Sequence, residues 1–287
     1  MSTPVLGAVE AALGTRVSAA RPVGGGCINA ALRVELADGR TVFLKHAGGD
    51  RAAAMYRAEA RGLEWLGAGP LRVPAVVALG DGEQPFLALE WVEAGRPGPG
   101  HDEALGRGLA GLHAIGAPSF GLDHDNWVGA VEQPNDPLPD WPGFYLERRL
   151  VPFLRRAVDL GHMAPRAAGL LERLAARIPE LCGPPEPPAR LHGDLWGGNA
   201  MSGPEGEPVL IDPAVYGGHR EVDLAMMRLF GGFSERVFAA YAEAAPLAAG
   251  HGERLELYQL MPLLVHAILF NGHYGAAAER VLARYAG

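Results

Sequence analysis

Two cysteines in the whole chain, Cys27 in a glycine-rich stretch and Cys182 beside a run of prolines, make no disulfide framework and match no metal-ligand spacing. No block of Lys or Arg is present either. With 25 basic against 33 acidic residues the formal charge is −8, which argues against nucleic acid, bound through clustered cations on phosphates, and against an anionic membrane surface. The chain does not open on a basic segment followed by an apolar run, and its most apolar late stretch, 257–270, is interrupted by Gln259, Pro262 and His266. No export signal or membrane span is expected, and a reducing cytoplasm is the expected location. What is present is enough apolar sequence, 48% of 287 residues, to bury a core of one two-lobed domain or two small ones.

The first third reads as strands and one helix. Residues 32–36 and 41–45 flank Asp38-Gly39, a hairpin signal that would open an antiparallel sheet. Met55, Leu63 and Leu66 at helical spacing over 51–66, closed by Gly67 and Gly69, predict a helix. Apolar runs at 73–79 and 85–92 follow, parted by Gly80-Asp81-Gly82. Beyond the Gly/Pro punctuation of 95–100 the pattern turns helical, at 103–115, 165–178, 222–230 and 255–270, with a long irregular stretch at 118–142. The expected organisation is therefore α+β, with an N-terminal nucleotide-binding lobe over 1–92 and a mainly helical catalytic and substrate-binding lobe over 93–287.

His192-Gly193-Asp194-Leu195-Trp196-Gly197-Gly198-Asn199, followed by Val209-Leu210-Ile211 ending on Asp212, has the catalytic-loop spacing of kinases. Phosphoryl transfer needs positioning and charge neutralisation more than covalent help. Asp194 would orient the substrate hydroxyl and accept its proton, and Asn199 and Asp212 offer the oxygen ligands Mg²⁺ prefers. Upstream, Gly24-Gly25-Gly26 would let backbone N–H groups approach the phosphates of ATP. Lys45 at a strand end would reach the α and β phosphates, held by Glu59 on the next helix. The strand ending Leu89-Glu90-Trp91-Val92 stands where kinases place the interlobe hinge, so the Glu90 and Val92 backbone would bond the adenine.

Taken singly these features are weak. A triple glycine is usually a turn, a strand-ending lysine is usually solvated, and His192 with Asp194 could belong to a metallohydrolase. A silent nucleotide-binding module is a further alternative, although it would tolerate loss of Lys45, Asp194, Asn199 or Asp212, and all four are present. The order of the whole set favours a kinase. Asp223 is expected to hydrogen-bond the catalytic-loop backbone, His192 to brace the loop, and His113 to be a core or surface histidine. Asn126, Gln133, Asn135 and Trp141 could line a sugar pocket or simply satisfy turns.

Beyond these residues the sequence resembles the fructosamine kinases, or ketosamine 3-kinases, relatives of the aminoglycoside and choline kinases. The resemblance rests on Gly24-Gly25-Gly26-Cys27-Ile28-Asn29, Asp125-Asn126-Trp127-Val128-Gly129, the 191–199 segment, the 212–226 segment from Asp212-Pro213 onward, and Phe230-Gly231-Gly232-Phe233. It implies the protein-kinase-like two-lobed fold, with ATP and Mg²⁺ as cofactors. The implied reaction is phosphorylation of the sugar 3-hydroxyl of a ketosamine on a small amine or a protein lysine. Elimination of the 3-phosphate then frees the amine, a deglycation; bacterial-looking members of the family favour ribulosamines and erythrulosamines. Other small-molecule kinases of this fold, acting on an aminoglycoside, choline or thioribose, remain the alternative that only the two Gly-Gly segments oppose. Trp196 is either an apolar wall against the sugar or a core residue. Unlike protein kinases, the chain has Gly193 before its base and Pro213-Ala214 after Asp212, so a small substrate is favoured over a folded protein. Cys27, in the phosphate loop, is a candidate redox-sensitive thiol or else a small semi-buried residue.

Overall fold

The structure, a computed structural model, describes residues 4–24 and 30–287. These form two compact units, Met1–His101 with Ala200–Pro213, and Asp102–Asn199 with Ala214–Gly287.

The first unit begins with α1 (Pro4–Leu13), β1 (Val17–Pro22), β2 (Ala30–Leu36), β3 (Thr41–His46), α2 (Asp50–Gly67), β4 (Val76–Gly80) and β5 (Phe86–Glu90). The strands form one antiparallel sheet in the order β1-β2-β3-β5-β4. Period-two alternation sorts the side chains of each strand onto its two faces. Val34, Leu36, Val42, Leu44, Phe86 and Ala88 pack with Val5 and Val9 of α1, whereas Leu87 and Leu89 pack with Tyr56 and Leu63 of α2. Because Val42 and Leu44 face α1, Lys45 faces α2. The sequence pattern signals one helix here; the structure has two, α1 being too short and too weakly patterned to announce itself.

The second unit contributes α3 (His101–Ile115, whose first residue still belongs to the first unit), β6 (Asn126–Val128), β7 (Val131–Gln133), α4 (Trp141–Phe144), a π-helical turn Tyr145–Leu150, α5 (Val151–Asp159), α6 (Arg166–Ala175), α7 (Ile178–Leu181) and β8 (Ala189–Leu191). The chain then supplies the first unit with the hairpin β9 (Ala200–Ser202) and β10 (Pro208–Leu210), and finishes in the second with β11 (Tyr216–Gly218), α8 (Glu221–Phe230), α9 (Glu235–Ala244), α10 (His251–Phe270) and α11 (Tyr274–Ala286). The sequence pattern puts the change of lobe at 92–100, but the first unit runs to His101 and takes in 200–213. Backbone bonds explain this: Gly95 N donates to Ser202 O at 2.8 Å, Gly98 N to Gly206 O at 3.1 Å, and Leu210 N to Arg72 O at 2.9 Å.

One apolar core fills the second unit, with Trp141, Phe144, Tyr145 and Tyr258 among its aromatic members and Leu260, Leu264 and Leu282 fully buried. Cys182 is buried there, and burial pushes its thiol up to about 12, so it stays a thiol. Among the described residues no helix is long and apolar enough to cross a membrane.

Candidate active site

In the first unit Lys45 Nζ lies 2.7 Å from Glu59 Oε1 and 2.8 Å from Asp212 Oδ1. Strand alternation aims the lysine at α2, α2 brings Glu59, and β10 delivers Asp212. Burial alone would lower the lysine's pKa, but the two carboxylates outweigh it and hold it above the ordinary lysine value, so Lys45 stays charged. It is the only lysine in the chain, among 25 basic residues. Arginine serves every other permanently cationic side-chain position; the one lysine is a compact, strongly hydrated point charge set between two carboxylates. Asp212 has φ 52°, in the left-handed region that non-glycine residues seldom occupy. Such strain persists where the surroundings impose it, and it commonly marks functional positions.

Glu90, one of the two expected hinge residues, is held at its side chain and its amide. The Glu90 carboxylate accepts from Arg72 Nη2 at 2.6 Å and Ala75 N at 3.2 Å, and its own amide donates to Ala75 O at 2.8 Å. Its side chain is thus a brace between Arg72 and the backbone at Ala75. Arg72, which the sequence pattern does not single out, also pairs with Glu207 on the β9–β10 hairpin. Gly24 is exposed, and Gly25, Gly26 and Cys27 lie outside the described residues.

The second unit holds Asp194, Asn199 and Trp196. Asn199, buried, donates its Nδ2 to the Asp194 carbonyl at 2.8 Å and to Asp194 Oδ2 at 3.1 Å. The loop before Asp194 is fixed from behind. The Asp223 carboxylate, 1% exposed, accepts from His192 N at 2.8 Å, Gly193 N at 2.9 Å and His113 Nε2 at 3.2 Å. His113 Nδ1 in turn lies 2.8 Å from the Tyr241 hydroxyl. Burial would raise the Asp223 pKa, but the His113 bond and charge together with the loop amides carry it below the ordinary value. Asp194 N donates to His192 Nδ1 at 3.2 Å, so His192 braces the loop, as its position suggests. Gly193, at φ 82°, admits no side chain, since a Cβ would meet Ala214 O at 2.0 Å.

Trp196 is not a core residue; it is 41% exposed. Its ring lies over Gly198, where a Cβ would come 2.2 Å from the indole, and a Cβ on Gly197 would lie 3.0 Å from the Gly232 Cα. The two glycine segments singled out in the sequence therefore pack backbone to backbone. Asn126, Gln133 and Asn135 are buried in a hydrogen-bonded cluster and Trp141 is in the core, so none of the four lines an open pocket.

The fructosamine kinase family profile matches residues 2–286. A probable ketoamine kinase of Synechocystis is 38% identical over 274 residues, 93% of this chain and 90% of its own. The chloroplastic protein-ribulosamine 3-kinase of Arabidopsis thaliana is 35% identical over 94% of this chain and 83% of its own. A solved structure from Thermobifida fusca, provisionally named a fructosamine-3-kinase, superposes with a TM-score of 0.89 at 42% identity, covering 100% of this chain and 99% of that one. An aminoglycoside phosphotransferase bound to ADP and hygromycin B, at 14% identity, a TM-score of 0.64 and 99% and 98% coverage, shares the fold alone. An α+β protein-kinase-like fold, a lysine–glutamate pair, a braced His-Gly-Asp loop and a match from end to end meet in one conclusion: this chain is an ATP-dependent kinase and belongs to the fructosamine kinase family.

Proposed function

We propose that this kinase transfers the γ-phosphoryl group of ATP to the 3-hydroxyl of the sugar in a ketosamine, on a small amine or a protein lysine. The hydroxyl oxygen attacks the γ-phosphorus, the bond to the β–γ bridging oxygen breaks, ADP departs, and the hydroxyl proton passes to the Asp194 carboxylate. Elimination of the 3-phosphate from the product leaves an imine at C1, whose hydrolysis by water releases the amine and a dicarbonyl sugar fragment, which makes the overall sequence a deglycation.

Lys45, oriented by Glu59, takes the α and β phosphates, and Gly24, Gly25 and Gly26 supply amides to the phosphates. The donor set fits Mg²⁺. Asp212 offers a carboxylate on strained backbone at φ 52°, and Asn199 an amide oxygen whose nitrogen is tied to Asp194. Mg²⁺ asks for few protein ligands beside phosphate oxygens and water. Held by Asn199 and Asp212, the ion would offset the negative charge on the β and γ phosphates. Asp194 is kept in one orientation by the Asn199 amide, so the acceptor hydroxyl meets a carboxylate already in place.

The observation that carries the substrate class is Trp196. Its exposed indole, two residues from the base, rests on a glycine contact made by the two segments that distinguish fructosamine kinases from the wider group. An apolar wall there suits the carbon face of a sugar. The relative named protein-ribulosamine 3-kinase is consistent with the same class. The test is ATP consumption with Mg²⁺ across ribuloselysine, fructoselysine, choline and kanamycin. Turnover on a ketosamine is expected, and turnover confined to choline or kanamycin refutes the substrate reading while leaving the kinase.

A further inference from the structure

The Asp125-Asn126-Trp127-Val128-Gly129 segment and the strand after it have no part in the chemistry described above, yet their polar side chains are among the most buried of the second unit. Asn126, Gln133 and Asn135 are 3%, 0% and 0% exposed. Behind them lies Arg149 on the π-helical turn, also 0% exposed, its guanidinium 4.0 Å from the Tyr216 ring centre and 4.6 Å from that of Phe144. Turns of this wide kind occur often at functional sites.

The hydrogen bonds run in one direction. Arg149 Nη2 donates to Asn135 Oδ1 at 2.7 Å. Asn135 Nδ2 and Gln133 Nε2 each donate to Asn126 Oδ1 at 2.8 Å. Asn126 Nδ2 donates to Val215 O at 2.7 Å, and Gln133 Nε2 to Ala214 O at 3.2 Å. Ala214 N donates to His192 O at 2.9 Å, and it is the Ala214 carbonyl that closes over Gly193. Each amide that accepts at its oxygen becomes a better donor at its nitrogen, so the cation at the head polarises Asn135 and Asn126 toward the Val215 carbonyl, while Gln133 joins Asn126 to the Ala214 carbonyl from the side.

Two features are costly for a mere scaffold. Among the described residues no carboxylate forms an ion pair with Arg149, and burial lowers its pKa to about 10, leaving it charged at neutral pH. Gln133 Oε1 is buried with no hydrogen-bond partner among the described residues. A leucine or methionine would fill the Gln133 position without stranding an acceptor.

We propose that Asn126, polarised by Arg149 through Asn135, and Gln133, which ties Asn126 to Ala214, are positioning residues for the catalytic loop: through Val215 and Ala214 they set His192-Gly193, and hence Asp194, opposite the grip of Asp223. The inference rests on the kinase reading of that loop. Its test is Gln133→Met in the full chain, which removes the donor to Ala214 O together with the stranded acceptor. On ribuloselysine and ATP, kcat should fall about tenfold or more with the KM for ATP within about twofold, since displacing the base misaligns the attack without touching the nucleotide clamp. The melting temperature should hold or rise, because a buried unsatisfied acceptor goes with the lost bond. A folded variant with kcat within twofold of the parent overturns the proposal. A variant that fails to fold also overturns it, since the amide would then be scaffold. If the parent itself turns over no ketosamine, the substrate reading fails instead, and the same comparison is read on basal ATP hydrolysis, where equal rates overturn the positioning role.

Discussion

Asp223→Asn separates charge from shape at the most constrained point of the site. The carboxylate accepts from two consecutive loop amides, one on each oxygen, and from His113. An amide of the same size can offer its oxygen to only one of the loop N–H groups, so the other faces an NH₂. Losing one bond to a buried charge costs about 1.5–3 kcal/mol, and donor against donor brings the total to about 2–4 kcal/mol. The loop is continuous with Asp194, so part of that energy appears as displacement of the base. If half does, kcat falls about 5- to 30-fold at 1.36 kcal/mol per decade. The melting temperature should drop by roughly 4–15 °C. The assay is steady-state kinetics on a ketosamine, thermal melting, and calorimetric titration with nucleotide, whose affinity should be unchanged. A folded variant with kcat within twofold of the parent would refute the reasoning, because the loop would then keep its position without the carboxylate.

Asp194→Ala should lower kcat by about 10³-fold while nucleotide affinity persists; residual turnover near the parent level would mean the base lies elsewhere. Lys45→Met leaves Glu59 buried without its cation and should destabilise the chain by about 3–5 kcal/mol, and adding Glu59→Leu should recover most of the stability and none of the activity in paired melting and rate measurements. Since Lys45 is the only lysine, amine-reactive labelling has one side-chain target. Loss of activity should track modification of that residue by mass spectrometry, be slowed by ATP with Mg²⁺, and speed up only at alkaline pH because the pKa is raised; lysine modified without loss of activity would count against a phosphate role. Asp223 and Glu186 are both held below ordinary carboxylate values, Asp223 by His113 and the loop amides against burial, and Glu186 chiefly by Arg220. Groups with depressed pKa stabilise the fold above their unfolded pKa, and that stability is lost as pH falls through the folded value. Denaturant midpoints should therefore decline below about pH 4, and Asp223→Asn should flatten the slope.

The sequence makes legible what local pattern encodes. The Asp-Gly hairpin and the helix after it depend on short-range periodicity and turn chemistry, and the structure forms both; Lys45, Glu59 and Asp212 are legible only as an ordered set of motifs, and the structure brings Lys45 to Glu59 and Asp212. What it hides are the partners supplied from far away. His113 reads as an ordinary helical histidine because its partners, Tyr241 and Asp223, lie 128 and 110 residues on. Arg72 looks like any charged residue before a strand, though it ties Glu90 to Glu207. Asn126, Gln133 and Asn135 share the composition of a turn, and only the position of Arg149 makes them a core network. Even α10 is only partly announced, since Pro262 lies inside a helix that begins at His251 and runs unbroken through it.

The two glycine segments show why a motif can be recognised before it is understood. In sequence Trp196-Gly197-Gly198 and Phe230-Gly231-Gly232-Phe233 are separate features of a family pattern. In the fold each explains the other. A Cβ on Gly232 would lie 2.8 Å from the Gly197 Cα, and Gly232 itself has φ 92°, so neither chain can carry a side chain at the crossing. A substitution on one side has no compensating substitution on the other, because the only smaller residue than glycine is none. The contact fixes the loop between Trp196 and Asn199, with Asp194 five residues before Asn199 and the end of α8 against the loop. A kinase that lost this crossing would have to hold the loop that carries Asp194 and Asn199, and the exposed Trp196 beside it, by other means. The pair therefore shapes the loop that carries Asp194 and Asn199 through backbone packing alone and adds no reactive group of its own.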